Sequence, residues 1–416
     1  MLQWNRLHAY NAVHAARVDQ PLRADRLARA IRDCCGQAGL TDLSLDRGAR
    51  RLIHTGPHVE PPLLILEGAD RAREVADAQL EHEINTPFDL SGTFCPVRFV
   101  AVRSAQGFEL AMTYCHFIAD AAPISRLLGL ILGVHAGLAD PSEAAALRRP
   151  PARLGRALMG MVLRHGLGWA MSWPGQLWNL IHAAKPRYAD RLDHANGLLT
   201  ARLEPRPLEA LRGAASAWGV SVNDLFLAAM ARALEPLAAG RLGKGRRDRL
   251  GLDIIADLRG DLPASGGQGL GLLLGSFCVF HKPADGLSLR DLADRLSRQT
   301  RRAKRRRVYM RTLAELRGAL WVMGLASPDR QQKFYRQHYA QWGGISNLNL
   351  DAARPPPPPA QGYRRAVSTG PICPVVWAVT TFRGALDVSL SFRRTVLDLP
   401  AARDCLGRFL RCLGDL

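Results

Sequence analysis

The stretch Phe108-Glu-Leu-Ala-Met-Thr-Tyr-Cys-His116-Phe-Ile-Ala-Asp120 holds the residues whose types and spacing best suit chemistry. An apolar, strand-like run delivers a histidine, an aspartate follows four residues later, and a helical run starts at once. A histidine at a strand end, with the chain turning sharply behind it, suits a general base facing an open channel. The aspartate can brace that turn without touching substrate. Spacing alone proves little: with 12 His in the chain, a His-x-x-x-Asp match is expected about once by chance. A second literal match, His281-Lys-Pro-Ala-Asp285, does occur. It contains Pro283 and sits between a strand-like run and a helix start, so it reads as a surface loop. The first match has a strand before it and a helix after it, and is taken as the site.

The elements that must position His116 follow from the apolar pattern. Val97–Val102 and Glu109–Tyr114 read as a hairpin joined at Ser104-Ala-Gln-Gly, both strands nearly continuous in apolar residues and so covered on both faces. Before them come an early strand, a helix over Ala24–Cys35, short strands near Ile53 and Leu63–Leu66, and a helix around Asp70–Ile84. Asn85-Thr-Pro-Phe-Asp-Leu-Ser reads as a turn. A second set of elements opens with a strand at Leu198–Leu203 and a helix near Pro207–Trp218. Ser221 is placed to N-cap a long, mostly apolar helix. Strands at Leu252–Ala256 and Leu272–Phe280, a basic helix from Leu289, a stiff proline loop at Pro355–Pro359, a hairpin at Val375–Thr381 and Ala385–Phe392, and a closing helix complete the chain. Two lobes, 1–183 and 184–416, are expected at this length.

Composition bounds the class. Apolar content of 47% and charged content of 22% are ordinary for a folded globular protein. The eight Cys form no Cys-x-x-Cys pair and no zinc-like cluster, so no structural metal is expected and a reduced, cytoplasmic location is, with peripheral contact at the inner membrane as an addition. The N-terminus has no signal-peptide pattern. A net charge of +19 invites a nucleic-acid reading. Yet the Arg is scattered throughout, as in a GC-rich bacterial genome, and no nucleic-acid-binding signature is present. Acidic carrier proteins, phosphorylated cofactors or anionic membrane surfaces suit the charge better.

Two charge features stand out. From Ala144 to Ala189 there is no acidic residue, while seven Lys/Arg and Trp169, Trp173 and Trp178 occur. This connector could lie on a membrane; a buried crossover between lobes is the favoured expectation. The run Arg298–Arg307 holds seven Lys/Arg in ten residues and reads as a solvated face, with a docking patch for an acidic partner as the alternative.

Several pieces, in order, resemble the chloramphenicol-acetyltransferase-like superfamily, in the branch of peptide-synthetase condensation domains, wax-ester synthases and polyketide-associated acyltransferases. They are Thr86-Pro-Phe-Asp-Leu-Ser, Cys115-His116-Phe-Ile-Ala-Asp120, Val220-Ser-Val-Asn223-Asp224, Asp257-Leu258-Arg259, Leu274-Gly-Ser-Phe277 and Gly344-Ile-Ser346-Asn347-Leu. Cys115 stands for the first His of a tandem pair, and Ala121 for the Gly after the Asp. The resemblance implies an α/β fold of two similar lobes, mixed sheets flanked by helices, forming a pseudo-dimer with a channel between them and His116 at its midpoint.

It also implies acyl transfer from a CoA or acyl-carrier-protein thioester, as co-substrate and not as a resident cofactor, to a hydroxyl or amine of a hydrophobic acceptor. His116 would serve as general base without an acyl-enzyme. Ser346 and Asn347 are the candidate oxyanion donors. Asp120 would point away from the channel and pair with a buried Arg, for which Arg259 is the choice, because an unpaired buried carboxylate is costly. A monomer is expected. A catalytically silent scaffold binding a carrier protein or lipid is the alternative, supported by Cys115 and Ala121.

Overall fold

The computed structural model describes residues 5, 8–46, 51–54, 57–148, 154–190, 193–203, 205–243, 246–261, 269–312, 314–315, 326–327, 329–331, 333, 341–352, 359–370 and 373–415. In the first half, β1 (Asn11–Val18) leads to α1 (Ala24–Gln37), then β2 (Leu43–Asp46), β3 (Arg51–His54) and β4 (Leu63–Glu67). After these come α2 (Ala72–Asn85), β5 (Thr93–Phe94), β6 (Val97–Ser104), β7 (Gly107–Cys115), α3 (Ala121–Ala136) and the 29-residue α4 (Leu154–His182). The second half contains β8 (Asn196–Leu203), α5 (Pro205–Trp218), α6 (Val222–Ala238), β9 (Leu250–Asp257), β10 (Leu274–His281) and α7 (Leu289–Arg305). It ends with β11 (Gln341–Asn349), β12 (Ala360–Val367), β13 (Val375–Phe382), β14 (Ala385–Arg393) and α8 (Leu399–Gly414).

The expected hairpin of β6 and β7 is antiparallel with Val97 opposite Tyr114 and Ser104 opposite Gly107. Continuous apolarity has the expected cause. On one face Leu110, Met112 and Tyr114 pack with Leu27, Ile31, Leu127 and Ile131 of α1 and α3. On the other, Ala111 and Val100 meet Ala76, Leu80 and Ile84 of α2. At about 25 cal/mol per Å² of apolar area, this two-sided burial is what makes the sheet a rigid base for whatever follows Cys115.

The sheet order is β12-β1-β7-β6-β4 in the first half and β10-β9-β11-β13-β14-β8 in the second, with a small β3-β2-β5 sheet beside the first. Both large sheets mix parallel and antiparallel pairs: β4 runs parallel to β6, and β11 parallel to both β9 and β13. One strand crosses the expected boundary between 1–183 and 184–416. β12 pairs antiparallel with β1, Ala12 opposite Val367, and covers what would otherwise be an open edge. The second core surrounds α6, whose Leu225, Phe226, Met230 and Leu234 are all buried. Ser221 caps α6 as expected, in a reciprocal capping box with Asp224.

Three expectations need comment. His281 is not in a surface loop: it is buried at the end of β10, with Nε2 2.6 Å from Glu235 Oε1, and the chain turns outward only from Lys282 onward. The proline in the match had suggested exposure, but Pro283 lies just beyond the strand. The connector is not a buried crossover either. Helix α4 leaves Met159, Leu163, Met171, Leu177, Trp178 and Ile181 exposed; the side chains of Trp169 and Trp173 lie outside the described residues. Of the proline loop, residues 355–358 also lie outside them, while Pro359 is buried.

Among the described residues no single helix is long and apolar enough to cross a membrane. The bent pair Leu208–Trp218 and Val222–Ala238 passes that test together, but α6 is a core helix.

Candidate active site

Strand β7 carries the chain to Cys115, and the backbone then turns: Ile118 N–H donates to Cys115 O at 3.0 Å and His116 N–H to Tyr10 O at 3.1 Å. The turn ends where Asp120, in extended conformation, N-caps α3 by accepting from Ala122 N–H. Ala121 is the first helical residue and has no positive φ, so its Cβ is accommodated without strain at the position where the resembling family has Gly.

Asp120 does more than cap. Its Oδ2 accepts from Leu273 N–H at 2.9 Å and from Arg259 Nη1 at 2.9 Å, and its own N–H donates to Gly271 O. Its side chain is 1% exposed and that of Arg259 is 16% exposed. The carboxylate thus ties the turn behind His116 to Arg259 and Leu273 of the second half. Arg259 is steadied in turn by Asp257 Oδ1 at 3.2 Å. A buried carboxylate with an Arg and two backbone donors meets the condition under which burying charge is tolerable.

His116 is 8% exposed. Its ring stacks on Tyr10, centroids 5.2 Å apart and planes within 10°, and meets Tyr114 edge-on at 5.7 Å. Nδ1 lies 3.3 Å from Ala119 O; a carbonyl only accepts, so Nδ1 carries the proton and Nε2 the lone pair. Burial pushes the His116 pKa below its ordinary value, against the raising influence of its backbone hydrogen bonds and of Asp120, and Arg365 pushes the same way as burial. The ring is therefore neutral at pH 7, the state a general base requires. Cys115 is fully buried and its thiol is pushed well up by burial, so it is a core residue and not a nucleophile.

Ser346 and Asn347 lie on β11, half-buried and exposed respectively. Ser346 Oγ accepts from Arg365 Nη1 at 3.3 Å, which leaves its own proton to donate. Asn347 Nδ2 donates to Asn223 Oδ1 at 2.6 Å, at the start of α6; the second amide hydrogen remains. The structure joins Asp120 directly to Arg259 and reaches His116 through the turn at Ala119, whereas Ser346 and Asn347, consecutive on regular β11, project to opposite faces of the sheet, Ser346 toward Arg365 and Asn347 toward Asn223 at the start of α6.

Three residues near the site were not singled out from sequence. Tyr10 stacks on the base. Arg365, on β12, is 2% exposed and donates only to neutral oxygens, Thr380 Oγ1 and the carbonyls of Ser346 and Val379 among them. Burial lowers its pKa to about 10, and it still carries its charge at neutral pH. Asp253, on β9, is 7% exposed; a Cβ on Gly344 would stand 3.9 Å from its Cβ and 3.7 Å from Cys373 Sγ. Burial raises the Asp253 pKa to about 7, against lowering hydrogen bonds from Ile254 and Ser276, and its charge acts on Tyr10. The signal for both was a charge inside an otherwise apolar strand, in Leu252-Asp-Ile-Ile-Ala and Tyr363-Arg-Arg-Ala-Val. Among the described residues no three His, Cys, Asp or Glu stand together as a metal site.

No family model matches the chain, and no curated protein does. Solved structures do. The condensation domain of the Monacolin K polyketide synthase MokA matches with TM-score 0.68 and 12% identity, over 98% of this chain and 92% of that one. The first condensation domain of the calcium-dependent antibiotic synthetase, in complex with a substrate analogue, matches with TM-score 0.68 and 16% identity, over 99% and 92%. The X-domain in the complex with OxyB from teicoplanin biosynthesis matches with TM-score 0.58 and 16% identity, over 100% and 91%. The chain has the fold of these domains, a two-lobed pseudo-dimer of mixed sheets and helices, as the sequence resemblance implied.

Proposed function

We propose that this protein is an acyltransferase of the condensation type, moving an acyl group from a CoA or carrier-protein thioester to a hydroxyl, or an amine, of a hydrophobic acceptor. The observation that carries this reading is the neutral His116, its Nδ1–H on Ala119 O and its Nε2 left as base, at the strand end that Asp120 and Arg259 brace.

Nε2 takes the proton from the acceptor O–H or N–H as that atom attacks the thioester carbonyl and the new C–O or C–N bond forms. The tetrahedral oxyanion is met by Ser346 Oγ–H, with the Arg365 charge behind Ser346 favouring hydroxyl donation. Collapse breaks the C–S bond, and the imidazolium returns its proton to the departing thiolate. No covalent enzyme intermediate is required, in keeping with the buried, protonated Cys115. The basic surface suits the phosphates of CoA and the acidic surface of a carrier protein equally.

The test is free-thiol release from a panel of acyl-CoA and acyl-carrier thioesters with pooled alcohols and amines, for the wild type and His116→Ala. Acceptor-dependent release that falls by about 10²–10⁴ in the variant is expected for loss of a general base. Equal release by both proteins would overturn the mechanism. A second reading, a silent scaffold, is favoured by one comparison: the X-domain of like fold was solved bound to a protein partner. Silence toward every thioester together with tight carrier-protein binding would select it.

A further inference from the structure

Helix α4 is amphipathic in the inverse of the usual sense. At roughly 100° per residue, Met159, Leu163, Met171, Leu177, Trp178 and Ile181 fall within an arc of about 120°. All six are exposed, Leu163 to 81% and Met171 to 75%. The opposite side holds the polar anchors that seat the helix on the body: His165 Nε2 stands 3.4 Å from Arg307 Nη1, Gln176 accepts from Arg311, and Asn179 accepts from Arg249. A surface helix of a globular protein ordinarily puts its apolar stripe inward. Here the stripe is presented to the surroundings by polar contacts beneath it, and a contiguous exposed apolar patch marks an interaction surface.

The charges around the stripe identify what it meets. No acidic residue occurs between Glu143 and Asp190. Within α4 itself Arg164 is exposed and stands about 20° beyond the edge of the stripe. An apolar stripe on a helix that carries Arg and no carboxylate would repel a second copy of the same face, since both would bring positive charge together. It matches a surface that is apolar within and negative at its boundary.

We propose that α4 docks this protein, lying flat, on an anionic lipid bilayer, with Leu163, Met171 and Trp178 in the headgroup–acyl boundary and Arg164 against the lipid phosphates. This surface is separate from the His116 site and does not depend on the catalytic reading.

The experiment is co-sedimentation of the full-length chain with vesicles of phosphatidylcholine alone and of phosphatidylcholine with phosphatidylglycerol. The wild type should bind the anionic vesicles and bind the neutral ones far more weakly, with release at high salt. Leu163→Asp with Met171→Asp should lower the partition coefficient by tenfold or more. Arg164→Gln should lower it by roughly fivefold. Unchanged circular dichroism and melting would show that both variants fold, as expected for exposed sites.

Absence of binding to the anionic vesicles would overturn the proposal. So would binding left intact in the Asp variant. So would a concentration-dependent dimer, seen by analytical ultracentrifugation, that the Asp variant abolishes.

Discussion

Replacing Arg259 by Met tests how the active-site turn is held. The substitution keeps most of the side-chain volume and removes the guanidinium, leaving Asp120, 1% exposed, without its cation. Breaking a buried pair from one side costs about 3–5 kcal/mol. Here Leu273 N–H at 2.9 Å and Ala122 N–H at 3.2 Å still donate to the carboxylate, so the low end of that range, about 3 kcal/mol, applies. Asp120→Asn in the Arg259→Met background removes the stranded charge and should recover about 2 kcal/mol of the loss. The assay is urea unfolding of the wild type, both single variants and the double variant, followed by tryptophan fluorescence. A coupling energy of at least about 2 kcal/mol between the two positions is expected from this geometry. Thiol release by Arg259→Met should fall with it, because the turn that aims His116 is tied to the second half through the same carboxylate. Additivity of the two substitutions to within about 0.5 kcal/mol would refute the argument, since it would mean that the two groups do not interact.

Other outcomes follow from the same contacts. Because burial holds the His116 pKa below 6.5, thiol release should fall off at lower pH than it would for an unperturbed histidine base; a kcat/KM profile inflecting at or above 6.5 would contradict this. The same shift means that below pH 6.5 the unfolded chain binds more protons than the folded one at this position, so its contribution to stability falls as pH drops. Asp253 behaves oppositely. Between 3.8 and about 7 the folded state keeps its proton and the unfolded state does not, so stability declines as pH rises through that window, by about 4 kcal/mol in all. Asp253→Asn should therefore gain on the wild type from pH 4 to 7, and parallel urea midpoints for the two proteins at both pH values would count against it. Ser346→Ala should lower kcat by about 10²–10³, with little change in melting, whereas Asn347→Ala, facing α6 on the other side of β11, should stay within twofold of the wild type; a Ser346→Ala rate within twofold would remove that hydroxyl from the role.

Local signals in the sequence were sufficient for much of this. The hairpin of β6 and β7, the capping role of Ser221, and a His delivered at a strand end with an Asp starting the next helix all depend on residues within a few positions of one another. Apolar periodicity and caps act over that range, which is why these features could be read directly. The Arg259 partner of Asp120 lies 139 residues away, and the family-ordered motifs pointed to it where periodicity had nothing to say. What tertiary structure alone decided is the long-range and the contrary. Strand β12 finds the open edge of β1, and His14 meets Tyr363 across 349 positions, because an unpaired sheet edge takes whichever strand the rest of the fold delivers to it. That placement buries Arg365 beside Ser346. Burial of His281 was decided by the packing of β10 against α6, two residues before the proline that suggested a loop. The outward turn of the α4 stripe was decided by three polar contacts on its other face, and no pattern within the helix itself distinguishes a stripe facing a core from one facing outward.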